Sequence, residues 1–116
     1  MKILIVDDDL HVQRLYKDEL SDEGYEVVVA SNGDEALKLF ESENPDLVTL
    51  DILLPDIDGI QLLRQMKEKN PKIPIIMSTA YDYRDDFAVW ASESYIVKSA
   101  DLNELKSTIK KLLNKE

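Results

Sequence analysis

A chain of 116 residues, a formal net charge of −10 and no cysteine together narrow the range of functions. The length suits one domain over residues 1–116, able to bury roughly two thirds of its unfolded surface, and the acidity opposes direct nucleic-acid binding or docking on an anionic membrane. Without cysteine there are no disulfides, no thiol chemistry and no Cys-based zinc site. No apolar run approaches a membrane span, and Met1–Val6 is too short for a signal peptide, so a soluble cytoplasmic protein is expected.

The first predicted strand is Ile3-Leu4-Ile5-Val6, a continuous apolar run of the kind buried on both faces of a parallel sheet. Asp7-Asp8-Asp9 follow at its C-terminal mouth, where open α/β sheets bind ligands. Adjacent carboxylates repel, so holding them together calls for a cation; oxygen donors with no His or Cys nearby suit Mg²⁺ or Ca²⁺. Alone, the triplet also fits a solvated acidic turn with Asp9 capping the next helix. That helix carries Leu10, Val12, Leu15, Tyr16 and Leu20 at broadly helical spacing and stops at Gly24.

Glu26–Ala30, with three valines in a row, is the second strand. The turn Ser31-Asn32-Gly33 leads into a helix with Asp34 and Glu35 in its first turn and Ala36, Leu37, Leu39 and Phe40 behind. Asn44-Pro45-Asp46 breaks it, and Leu47-Val48-Thr49-Leu50 is a third strand ending in Asp51. After the loop Leu54–Gly59 comes a helix with Ile60, Leu62, Leu63 and Met66, stopped by Asn70-Pro71. Ile73–Met77 is the fourth strand, followed by Ser78-Thr79; Ser94–Val97 is the fifth, ending in Lys98. A last helix from about Asp101 aligns Leu102, Leu105, Ile109, Leu112 and Leu113, with Asp101 and Glu104 as a capping box. This alternation predicts a parallel α/β sandwich.

Parallel strands expose their C-terminal ends along one edge, so Asp7 and Asp8, Asp51, Thr79 and Lys98 can converge in one crevice. Singly each has a plain explanation: a turn residue, a helix cap, a surface lysine. Four such accidents at the same edge are harder to credit. His11 reads as the outer face of the first helix, Trp90 as a filler between a fourth helix and the sheet, and Lys106, Lys110, Lys111 and Lys115 as a solvated face.

With these residues in place, the whole chain resembles the receiver domains of two-component response regulators. The resemblance rests on Asp7-Asp8, Asp51 with Leu54-Pro55-Asp56-Ile57-Asp58-Gly59, Ser31–Leu37, Ser78-Thr79-Ala80 and Tyr95-Ile96-Val97-Lys98. It implies a flavodoxin-like (βα)5 fold with strand order 2-1-3-4-5. It also implies that Asp51 accepts a phosphoryl group from a phosphohistidine on a sensor histidine kinase or histidine phosphotransfer protein. Asp8, Asp51 and the Leu53 carbonyl would hold Mg²⁺ (or Mn²⁺), with Asp7 acting through water; Thr79 and Lys98 would contact the phosphoryl oxygens. Thr79 and Tyr95 would form the switch, repacking the face of the fourth helix, fifth strand and fifth helix, and Leu53 and Tyr81 would tune phosphoryl lifetime. A monomer or a phosphorylation-dependent homodimer is implied, and either a stand-alone receiver or one belonging to a longer protein.

The sequence departs from the family pattern after Thr79. Ser99 follows Lys98 where receivers usually carry a proline, often cis; the stretch to Lys98 is about three residues short, and Ser92-Glu93-Ser94 replaces the usual Gly-Ala approach. A short or shifted fourth helix is therefore expected. Three other readings compete, and a flavin-binding flavodoxin would need a phosphate-cradling, hydroxyl-rich loop where Asp7-Asp8-Asp9 would repel the phosphate. A haloacid-dehalogenase-like phosphatase needs Asp-x-Asp, whereas Ile52 and Leu53 follow Asp51, and a phosphorylation-independent interaction module would have lost part of an acidic set that is complete here.

Overall fold

A computed structural model describes residues 1–79, 94–97 and 102–113. Its strands are β1 (Lys2–Val6), β2 (Glu26–Ala30), β3 (Leu47–Leu50), β4 (Ile75–Thr79) and β5 (Ser94–Val97). They form one parallel sheet in the order β2-β1-β3-β4-β5. The described helices are α1 (Leu10–Asp22), α2 (Gly33–Glu43), α3 (Gly59–Lys69) and α4 (Asn103–Leu113); α4 is the final helix of the sequence reading. The expected helix between β4 and β5, the packing of Trp90, the Asp101 cap and the Lys98–Ser99 peptide lie outside the described residues.

Side chains alternate along β1, β2, β3 and, as far as Ser78, β4, and sort the described core into two clusters. Leu4 and Val6, Val48 and Leu50, and Ile75 and Met77 point to the face covered by α2 and α3, where Ala36, Phe40, Leu62, Leu63 and Met66 are buried. Ile3 and Ile5, Leu47 and Ile76 point to the opposite face, against Tyr16 and Leu20 of α1 and Leu102, Leu105 and Ile109 of α4.

The helix ends follow their caps. Asp9 accepts from the backbone N–H of His11 and Val12 and starts α1. At the other end Gly24, with φ +94°, sends its N–H to Ser21 while Tyr25 bonds back to Leu20, the paired bonds of a Schellman stop. Asn32 caps α2 through Glu35 N–H, and the Glu35 carboxylate returns to Ser31 N–H.

The structure corrects three sequence expectations. β4 runs Ile75–Thr79, two residues later than Ile73–Met77, because the Ile73 N–H is bonded to Asn70 and Pro74 has none to give. Thr79 is thus the last residue of the strand. Leu10 and Leu15, read as part of one helical apolar spacing with Val12, Tyr16 and Leu20, are exposed; only Tyr16 and Leu20 of that helix are buried. Finally, Lys106 is no part of a solvated face: its Nζ reaches Glu19 of α1 at 3.2 Å and ties α4 to α1. Lys110 and Lys111 are exposed as expected, and Lys115 lies outside the described residues.

Candidate metal centre

β1 and β3 are neighbours in register, Val6 opposite Leu50, so the residues that follow them emerge side by side. Asp51 N–H extends the ladder by donating to the Val6 carbonyl at 3.0 Å, and Asp7 N–H does the same to Ala30 of β2. Two strand ends therefore deliver two carboxylates to one place. Carboxylate oxygens of Asp7, Asp8 and Asp51 lie within 4.8 Å of one another. Asp7 is 2 % exposed and Asp51 6 %, while Asp8 opens to solvent.

The surrounding backbone holds this cluster in place. Asp7 Oδ1 accepts from Asp9 N–H at 2.9 Å, which links the acidic turn to the cap of α1. The Gln13 side-chain amide, one turn further on, donates to the Asp7 carbonyl at 2.5 Å and to Ser31 Oγ at 2.9 Å, pinning the turn from α1 and from the β2–α2 loop together. On the β3 side, Leu53 N–H donates to Asp51 Oδ1 at 3.3 Å, and Leu53 and Asp58 form an antiparallel bridge that closes the loop. Gly59 then starts α3 against the backbone of Asp51 and Ile52; a Cβ there would sit 2.2 Å from the Asp51 carbonyl oxygen. Only glycine allows so close an approach.

Asp56, in the same loop, reaches across to the N-terminus of α2 and accepts from Gly33 N–H at 2.8 Å and Asp34 N–H at 3.0 Å. Those backbone N–H bonds hold its carboxyl below the usual carboxylate range. Ile57 packs on Gly33 in the same contact: a Cβ on Gly33 would lie 2.2 Å from Ile57 Cγ2.

Of the residues singled out from sequence, the structure gathers Asp7, Asp8 and Asp51, with Leu53 two residues from Asp51 and exposed. Thr79 and Tyr95 are placed by their backbones. Thr79 ends β4 opposite Val97, and Tyr95 lies in β5 opposite Met77. Lys98 and Tyr81 lie outside the described residues. Gln13, Ser31 and Asp56 carry polar contacts around the cluster that sequence reading did not assign. The signal for Asp56 was a carboxylate in a turn beside a helix start; for Gln13 there was none, because its partners lie on other loops.

The donors are all oxygen, clustered and partly buried, which fits a hard divalent cation that keeps some of its waters. A doubly wound parallel sheet with such an acidic pocket at its C-terminal edge defines a flavodoxin-like protein with a candidate metal centre. The chain belongs to the response regulator receiver domain family, whose model matches residues 3–110. It is similar to the response regulator TrrA of Thermotoga maritima, solved in complex with Mg²⁺-BeF, at 48 % identity and a TM-score of 0.93, covering 97 % of this chain and 98 % of that one. TrrA has also been solved in complex with the histidine kinase ThkA, with 47 % identity and a TM-score of 0.92 over the same shares of the two chains.

Among curated proteins it is 37 % identical to the alkaline phosphatase synthesis transcriptional regulatory protein PhoP of Bacillus subtilis, over 98 % of this chain and 49 % of that protein. Sporulation initiation phosphotransferase F of the same organism is 36 % identical over 97 % of this chain and 93 % of its own length. The chain thus spans about half the length of PhoP but nearly all of the phosphotransferase. Among the described residues no helix is long and apolar enough to cross a membrane.

Proposed function

We propose that residues 1–116 form one receiver domain that takes a phosphoryl group onto Asp51 from a phosphohistidine of a sensor histidine kinase or histidine phosphotransfer protein. The observation that carries this reading is the meeting of the Asp7, Asp8 and Asp51 carboxylates at the edge of a receiver-family sheet. The kinase complex of TrrA supports the class of donor. In the transfer, an Asp51 carboxylate oxygen forms the new bond to phosphorus and the histidine nitrogen leaves with the old one.

Asp8, Asp51 and the Leu53 carbonyl would hold Mg²⁺, or Mn²⁺ in its place, with Asp7 joined through water. When bound, the cation supplies positive charge that offsets the repulsion between the carboxylate and the incoming phosphoryl oxygens. Asp7 is kept ready for this by its bond from Asp9 N–H. Thr79 at the end of β4 and Lys98 just beyond β5 are assigned as donors to phosphoryl oxygens. Thr79 and Tyr95 are the switch that repacks the face of β5, α4 and the segment between β4 and β5, and Leu53 and Tyr81 slow hydrolysis of the acyl phosphate. The domain is a cytoplasmic signalling module that assists its own phosphorylation and slow dephosphorylation, as a monomer or a phosphorylation-dependent homodimer.

The test is intact-mass measurement after incubation with Mg²⁺ and acetyl phosphate. Wild type gains one phosphoryl group, whereas Asp51→Asn and chelated wild type gain none. Wild type without an adduct would overturn the assignment.

A further inference from the structure

In the apolar cluster under α1 and α4, one hydrogen bond stands out by its position. The Tyr16 hydroxyl lies 2.9 Å from Ser78 Oγ. The two residues are 3 % and 2 % exposed and 62 positions apart in the chain. Ser78 shares its sheet face with Ile76, two residues earlier in β4, and a hydroxyl set among isoleucine and leucine side chains is costly unless it is bonded. An alanine or valine would fill the same place without that demand. The hydroxyl pair gives what an apolar contact cannot, a narrow range of distance and direction between a helix and a strand.

Both ends of the pair lead directly to the metal centre. α1 begins at Leu10, its cap Asp9 is bonded to Asp7, and Asp8 lies between them. Ser78 immediately precedes Thr79, and the β3–β4 register, Leu50 opposite Met77, brings Ser78 level with Asp51. α1 itself is seated shallowly, with only Tyr16 and Leu20 buried. Besides the Tyr16–Ser78 bond, its position along the sheet rests on the polar contacts of Gln13 with Asp7 and Ser31 and of Glu19 with Lys106.

We propose that Tyr16 and Ser78 are positioning residues for phosphoryl transfer. Their buried hydrogen bond fixes the helix end that carries the acidic pair against the strand end that carries Thr79. This deepens the phosphoacceptor reading and rests on it. Small displacements of the groups around a reacting atom cost rate steeply, so the bond matters more to transfer than to folding.

The experiment compares wild type with Tyr16→Phe, Ser78→Ala and the double variant, using acetyl phosphate at saturating Mg²⁺. It reads the rate of adduct formation per folded molecule by intact mass, and stability by urea unfolding. Each single variant forms the adduct about five- to tenfold more slowly, with Mg²⁺ affinity within about twofold of wild type. The double variant, which removes both hydroxyls together, regains stability relative to Tyr16→Phe but stays as slow as the slower single. Recovery of rate along with stability would show a purely structural pair and overturn the proposal, as would wild-type rates in the singles. A wild type that forms no adduct at all would remove the phosphoacceptor reading and this inference with it; a wild type that reacts while the variants match it removes the inference alone.

Discussion

The two faces of the sheet hold their helices by different means. Under α2 and α3 the buried cluster is wholly apolar, and α3 alone buries Gly59, Leu62, Leu63 and Met66. Under α1 and α4 the helices sit less deeply, and hydrogen bonds and an ion pair do part of the fixing: Tyr16 to Ser78, Gln13 to Asp7 and Ser31, Lys106 to Glu19. The difference teaches how the acidic cluster is assembled. Its Asp51 side is set mainly by shape, with α3 packed so tightly on β3 that a Cβ at Gly59 has no room, and with a long bond from Leu53 N–H on the carboxylate. Its Asp7–Asp8 side is set by directional polar bonds. Shape fixes a position at the expense of adjustability, while polar bonds can be exchanged one at a time.

Mutations on the two faces should differ accordingly, and the apolar face carries the largest effect. Leu62→Ala removes a fully buried side chain among close-packed neighbours and is expected to cost about 3 kcal/mol in urea unfolding. A loss under 1 kcal/mol, far below the usual ~2–5 for such truncations, would mean that this face is looser than described. Gly59→Ala comes next, at about 2 kcal/mol, because its Cβ meets backbone 2.2–2.9 Å away that can move only by displacing Asp51 and Ile52. It should also weaken Mg²⁺ binding, measured by calorimetry, in a way that Leu62→Ala does not. On the other face, Tyr16→Phe keeps the ring and loses the bond to Ser78, which predicts about 1 kcal/mol. If Tyr16→Phe costs as much as Leu62→Ala, the contrast between the faces fails.

The strands, the helix order and the acidic edge could be read from the sequence because each is written locally. Runs of aliphatic residues, caps such as Asp9 and Asn32, and the stop at Gly24 act over a few positions. Hydrophobicity failed where exposure is decided from outside the segment. Leu10 and Leu15 fit a helical stripe as well as Tyr16 does, yet the sheet accepts only Tyr16 and Leu20. The start of β4 was misjudged because Ile73 is apolar and buried while its N–H is spent in the preceding turn. Around the acidic cluster, the carboxylates stood out by type, but Gln13 and Ser78 are ordinary residues whose contacts come from partners elsewhere in the chain.

The smallest effect concerns Asp56, which joins the shape-fixed loop after β3 to the N-terminus of α2. Its carboxylate accepts from Gly33 and Asp34 N–H, and these bonds lower its pKa from 3.8. A carboxyl group with a folded pKa below its unfolded one stabilises the fold above the unfolded value, about 3.9, and loses that contribution as pH falls through the folded value. The side chain is exposed, so the contribution is small and screened by salt. Asp56→Asn keeps an oxygen acceptor but loses the charge at the helix N-terminus. Urea midpoints of wild type and Asp56→Asn should differ by a constant, small amount from pH 7 to about 5, with wild type the higher, and converge as pH drops below about 4. Salt should shrink the gap at neutral pH. A gap that does not shrink as pH falls below about 4 would assign the contact to geometry rather than charge, and would place this loop with the shape-fixed side of the molecule.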